Sequence, residues 1–118
     1  MRNHFIFFTI FFAVLSAFFP FSAQAFTGSG SGTTSSPYII TSCSQLQEMN
    51  NSVSSNYKLG NSIDCASFGN FTPVSTFTGS FDGDGRTIYN LYISRTTQYA
   101  ALFGITNGTV TIKNVTLH

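Results

Sequence analysis

Tryptophan is absent from this chain of 118 residues, charged residues make up only 8% of it, and there are two histidines, two cysteines and three prolines. Each scarcity excludes a class of function. Five basic residues scattered among four acidic ones cannot form the basic surface that holds a phosphate backbone, so no nucleic-acid partner is expected. His4 lies in an apolar N-terminal segment and His118 is the last residue, which leaves no Cys/His zinc constellation, no Ser-His-Asp triad and no H-E-x-x-H. Glycoside hydrolysis needs two carboxylates facing one bond. Beyond the first segment the chain offers only Glu48, on a predicted helix, Asp64, and Asp82 with Asp84, which share a turn. A calcium loop starting at Asp82 would need oxygen ligands at its fifth and twelfth places, which hold Arg86 and Ile93. No enzyme activity, metal or cofactor is expected.

What is abundant is phenylalanine, 14 in all, with eight of them before residue 22. Arg2, the uncharged run from Phe5 to Phe19 and the small-x-small triplet Ala23-Gln24-Ala25 read as a signal peptide over residues 1–25. The run is shorter than the roughly 20 residues that span a bilayer. Membrane contact is therefore expected only through this peptide before cleavage, and the product is expected in the periplasm, at the cell surface or outside the cell. Cleavage leaves 93 residues with four basic and four acidic side chains. One small domain of that size buries a modest share of its surface and benefits from a staple. In an oxidising compartment Cys43 and Cys65 can supply it as a disulfide, two free thiols being the alternative.

Residues 26–36 are dominated by Gly, Ser and Thr and read as a flexible leader; the domain proper is expected over 37–118. Tyr38-Ile39-Ile40-Thr41 has strand composition. Ser42 followed by Gln45 is a capping-box pattern, and Leu46, Met49 and Val53 at helical spacing predict a helix over about 43–53. From Asn56 onward short apolar stretches alternate with Gly, Asn, Ser and Asp clusters, the signature of all-β structure. Thr87-Ile88-Tyr89-Asn90-Leu91-Tyr92-Ile93 and Thr111-Ile112-Lys113-Asn114-Val115-Thr116-Leu117 repeat one pattern at an offset of 24 residues. Such a period predicts a solenoid. Within each copy the apolar positions alternate only if the chain bends at Asn, so Asn90 and Asn114 are expected at left-handed corners, stacked as an amide ladder. Gly83 and Gly85 are expected to supply positive φ in the Asp82–Gly85 turn, with the Asp side chains bonding local backbone donors.

These residues resemble GLUG-repeat proteins. The similarity runs through Gly30-Ser31-Gly32-Thr33, Pro37 to Thr41, Gln45-Leu46, Leu59 with Ile63-Asp64, Phe71-Thr72-Pro73-Val74, Phe77 to Ile88, and Leu102-Phe103-Gly104 with Gly108, Ile112, Asn114 and Val115. Ala101 stands where the repeat usually begins with Gly. The resemblance implies the start of a right-handed parallel β-helix, with a short N-terminal helix capping it, in an exported bacterial surface protein. Gly79, Asp82, Gly83, Asp84, Gly85, Gly104, Gly108 and Asn114, with Asn90 from the repeat, are the structural motif residues.

The expected function is a non-catalytic exported module, a stalk or adhesive surface, taking a surface ligand of glycan or protein nature. The alternative is a carbohydrate-binding protein that uses Tyr89, Tyr92, Tyr99 and Arg95, or a carbohydrate-active one that depends on Asp82 or Asp84. Asn50, Asn70, Asn107 and Asn114 begin N-x-S/T sequons, which in a bacterial protein are expected to carry nothing. No residue after Leu117 protects a last strand, so the domain is expected to be incomplete at its C-terminus, or to cover that strand by self-association.

Overall fold

In the computed structural model, residues 25–94, 101–104, 106 and 108–118 are described. The expected signal peptide up to Gln24, and with it Arg95, Tyr99 and Asn107, lie outside the described residues. Strands β1 (Tyr38–Ile40), β2 (Asn56–Leu59), β4 (Ser80–Asp82) and β6 (Thr111–Lys113) make one parallel sheet in that order. Strands β3 (Ile63–Asp64), β5 (Thr87–Tyr89) and β7 (Thr116–Leu117) make a second. Between β1 and β2 lies helix α1 (Cys43–Gln47), continued by a 3-10 turn over Glu48–Asn51. Ser42 caps α1 by accepting the Gln45 N–H at 3.2 Å, and the Gln45 side chain reaches back to the Thr41 N–H at 2.8 Å. The helix stops before Val53 because its last residues tighten into the 3-10 turn.

The expected right-handed β-helix solenoid is corrected by this pairing. The strands form two separate open sheets, and among the described residues no sheet closes on itself or forms a solenoid. The physical reason lies between β3 and β4, around the short apolar stretch Phe71 to Val74. Gly69 has φ 92°, Pro73 has no N–H to donate, and Thr76 has φ 55°. Among the described residues only isolated parallel bridges form there: Asn70 with Tyr92, Val74 with Phe103, and Phe77 with Thr106.

Register also separates the two copies of the repeat. Thr87 pairs with Thr116, and Thr111 pairs with Ser80, so one copy opens in the three-stranded sheet and the other in the four-stranded sheet. Sequence similarity at 24 residues thus reflects two similar strand-and-corner units in different sheets. Inward residues stack in columns, Tyr38–Tyr57–Phe81–Ile112 in one sheet and Ile63–Ile88–Leu117 in the other. Of these, Tyr57, Phe81, Ile63 and Ile88 form the core together with Ile40, Leu46, Met49, Leu59, Phe71, Val74 and Phe77, while Tyr38 packs against it and Ile112 and Leu117 are exposed.

The Gly/Ser/Thr segment read as a flexible leader is held in place. Ser29 bridges Ile39 antiparallel, the Gly32 carbonyl accepts from both the backbone N–H and the side-chain amide of Asn56 at 3.0 Å, and Phe26 packs on Tyr38 with ring centroids 4.6 Å apart. Composition predicted disorder because the segment has little apolar surface; backbone pairing along the free edge of β1 supplies what side chains do not.

Candidate functional site: the outer faces of the two sheets

Strand alternation sends every second side chain outward, so parallel register lines these side chains into polar rungs. On the four-stranded sheet, Asn56, Ser80 and Thr111 form one rung and Lys58, Asp82 and Lys113 the next. Ser80 donates to the Asn56 amide oxygen at 2.6 Å. Lys58 lies 3.8 Å from Asp84, and Lys113 lies 4.0 Å from Asp82. These exposed ion pairs contribute little to stability but neutralise the face. A shallow groove of mixed polar and apolar lining, between this sheet and Thr34, Ser35 and Pro37, overlies both rungs. On the three-stranded sheet the outward residues are Asp64 and Tyr89 in one rung and Thr87 and Thr116 in another, with His118 beside Tyr89 at a centroid distance of 5.6 Å.

The turn at Asp82–Gly85 is built differently from the expectation in one respect. Asp84 (φ 51°) and Gly85 (φ 72°) take the left-handed conformation, whereas Gly83 does not. Gly83 is needed for space: a Cβ there would run into the Asn114 carbonyl. Gly79 has the same role against the Ser55 carbonyl. Asp82 Oδ1 accepts the Asp84 N–H at 2.9 Å, as the turn chemistry requires. Gly108 has φ 71°, and Gly104 donates its N–H to the Val74 carbonyl at 2.9 Å.

Asn90 and Asn114 both have φ 57°, so each is a left-handed corner. They do not form the expected ladder. Asn90 donates to Asp64 Oδ1 at 2.9 Å and Asn114 donates to Asp82 Oδ1 at 3.2 Å, because the register places each corner beside an aspartate of an earlier strand. Sequence reading missed these pairs. It also missed two reciprocal amide–backbone pairs: Gln47 with the N–H and C=O of Thr72, both at 2.8 Å, and Asn70 with those of Ser94, at 2.7 and 3.2 Å. Nothing in local sequence signals them, since the partners are 24 to 25 residues apart.

Cys43 and Cys65 form the disulfide, with Cα atoms 5.3 Å apart, joining the first turn of α1 to the residue after β3. Hydroxyls of Ser42, Ser44, Ser62 and Ser67 surround a shallow depression beside it.

All four carboxylates are engaged in local structure. Glu48 accepts from the backbone and hydroxyl of Thr27 at 2.9 and 2.6 Å, and Asp84 faces Lys58. The Asn90 amide and the Ala66 N–H hold the Asp64 carboxyl below its ordinary value. The Asp84 N–H, with Asn114 and the nearby lysines assisting, does the same for Asp82. A general acid needs the opposite shift, upward toward neutrality. Asp64 and Asp82 also stand on different sheets. Among the described residues no group of three or more His, Cys, Asp or Glu could hold a metal ion. Among the same residues no helix is long and apolar enough to cross a membrane.

No known family's profile matches the chain, and no solved structure matches it. The chain is similar to Halomucin of Haloquadratum walsbyi (strain DSM 16790 / HBSQ001), 37% identical over 101 residues. That alignment takes in 75% of this chain and 1% of Halomucin.

Proposed function

We propose that this chain is an exported, non-catalytic module of the cell surface or the secreted fraction, acting as a stalk or adhesive element. The observation that carries this reading is the similarity to Halomucin, in which three-quarters of this chain corresponds to a hundredth of a very long protein. A small unit of that kind is what a passive array is built from. The disulfide supports an oxidising destination. Carboxylates held ionised by their own turns and corners support a structural, not a catalytic, use of the few acidic residues. The kinship to GLUG-repeat proteins, as a likeness of sequence motifs, belongs to this proposal.

Cell fractionation and protease shaving of intact cells test it. The protein is expected outside the cytoplasmic membrane, without turnover of polysaccharides; retention in the cytoplasm, or turnover that is lost in D82N, would overturn it. Exposed tyrosines favour a second reading, carbohydrate binding: Tyr89 is 40% and Tyr92 59% exposed, with the Asp64–Asn90 pair next to Tyr89. A glycan array probed with the wild type and with Y89A/Y92A decides it, binding lost in the variant supporting the reading and no binding by the wild type excluding it.

A further inference from the structure

Residues 26–29 are each seated by a different contact. The Phe26 ring packs against Tyr38 and Tyr57, with centroids 4.6 and 6.0 Å away. Thr27 gives both of its donors to one carboxylate, its N–H to Glu48 Oε1 at 2.9 Å and its hydroxyl to Oε2 at 2.6 Å. At Gly28 a Cβ would run into the Phe26 ring and the Ile39 carbonyl, and Ser29 then bridges Ile39. Ala25, which ends the small-x-small triplet, is exposed. A cleft of about 220 Å³ opens between Ala25, Phe26, Tyr38, Glu48 and Tyr57. Its chemistry suits a cation: three aromatic rings and one carboxylate line it, and no basic side chain does.

We propose that this cleft is the docking site for the chain's own processed N-terminus, the α-ammonium of Phe26 pairing with Glu48. The inference rests on the exported reading given above. Hydrolysis of the Ala25–Phe26 peptide bond adds one water, leaving a carboxylate on Ala25 and an ammonium on Phe26, where the uncleaved chain has a neutral amide. Consecutive peptide nitrogens lie within about 3.6 Å of each other, so the new charge forms within about 6.5 Å of the Glu48 carboxylate with no movement of the backbone. The aromatic rings keep water from one side of the pair, which strengthens the attraction. The titratable groups facing the amine are Glu48 from the 3-10 turn, Tyr38 from β1 and Tyr57 from β2, and at neutral pH the carboxylate is the anion among them. Export processing thereby tightens the fold that it releases. An amine whose proton is held more firmly in the folded chain stabilises it below the ordinary α-amino value of about 7.7–8.0, and that contribution is lost as pH rises through the folded value.

Intact mass and N-terminal sequencing of the protein recovered from the exported fraction come first, and a start at Phe26 is expected. Reductive methylation with carbon-13 then labels the amine while keeping its charge, and an NMR titration reads where it loses its proton. The wild-type amine is expected to titrate at higher pH than that of E48Q, whose side-chain amide still accepts the Thr27 N–H. Between pH 7 and pH 10 the thermal midpoint of the wild type should fall by roughly 2–5 °C more than that of E48Q, the size expected of one partly exposed ion pair in a small domain. Should E48Q fail to fold, wild-type protein acetylated at its N-terminus decides: it loses the charge alone and must melt lower at pH 7 by a similar amount. An exported protein that starts elsewhere, an amine that titrates alike in both proteins, or acetylation without effect would overturn the docking and leave export standing. A chain retained in the cytoplasm with residues 1–25 attached would overturn both.

Discussion

The aspartate–asparagine pairs show how single residues position whole strands. Asp64 and Asp82 each fasten a left-handed asparagine corner, and their hydrogen bonds favour the ionised carboxylate. A carboxyl whose folded pKa lies below its unfolded value stabilises the fold above that unfolded value, and the contribution is lost as pH falls through the folded one. Stability should therefore hold above the ordinary value of 3.8 and decline as the solution is acidified below it. N90A should flatten that acid limb in thermal melts taken from pH 5 downward; an unchanged limb would mean that Asp64 is not held by Asn90. Tyr57 acts at the other extreme. Burial pushes its hydroxyl up to about 12, while it donates to the Ser52 carbonyl at 2.8 Å. Its contribution is present below the ordinary value of 10.0 and fades as pH rises toward 12, so alkaline unfolding should coincide with late ionisation of one tyrosine in an absorbance titration. Gly79 is a test of space: a Cβ pressed on the Ser55 carbonyl must displace backbone, and G79A should cost about 1–3 kcal/mol in a denaturant melt.

Among the elements, α1 is legible in the sequence because its signals are local. Ser42 and Gln45 are neighbours in the chain, and the capping they form does not depend on the sheets. The disulfide was legible for a different reason, there being only two cysteines in a chain expected to be exported. It closes a separation of 22 residues and ties α1 to the end of β3, which chain-entropy arguments value at about 3 kcal/mol. C43S/C65S should show a lowered thermal midpoint, and the native exported protein should present no thiol to an alkylating reagent. Two alkylatable thiols would refute the staple. The strands were legible in composition but not in partnership. β3 and β7 are two residues long, and only their register against β5 makes them strands.

Across the whole molecule the edges govern behaviour. The segment from Phe26 to Ser36 covers β1 and packs Phe26 against Tyr38 and Tyr57. Removing it would expose an unpaired edge and aromatic surface at the end that is otherwise closed. A chain beginning at Pro37 should melt at a lower temperature and scatter light on concentration. If its midpoint matches that of the longer chain, the segment only rests on the sheet.

Local chemistry in the sequence was enough for the helix start, the left-handed asparagines, the Gly85 part of the aspartate turn (Asp84, not Gly83, takes the other positive φ) and the cysteine pair, because each depends on residues a few positions apart or on there being no other candidate. Tertiary structure alone decided which sheet each strand joins, and so turned an apparent 24-residue solenoid repeat into two units in separate open sheets. It also decided that Asn90 and Asn114 meet aspartates and not each other, and that a glycine-rich leader is ordered. The physical reason is common to all three: β pairing is made between residues 10 to 31 positions apart, and its register is set by how the columns of the core stack, which no local pattern encodes.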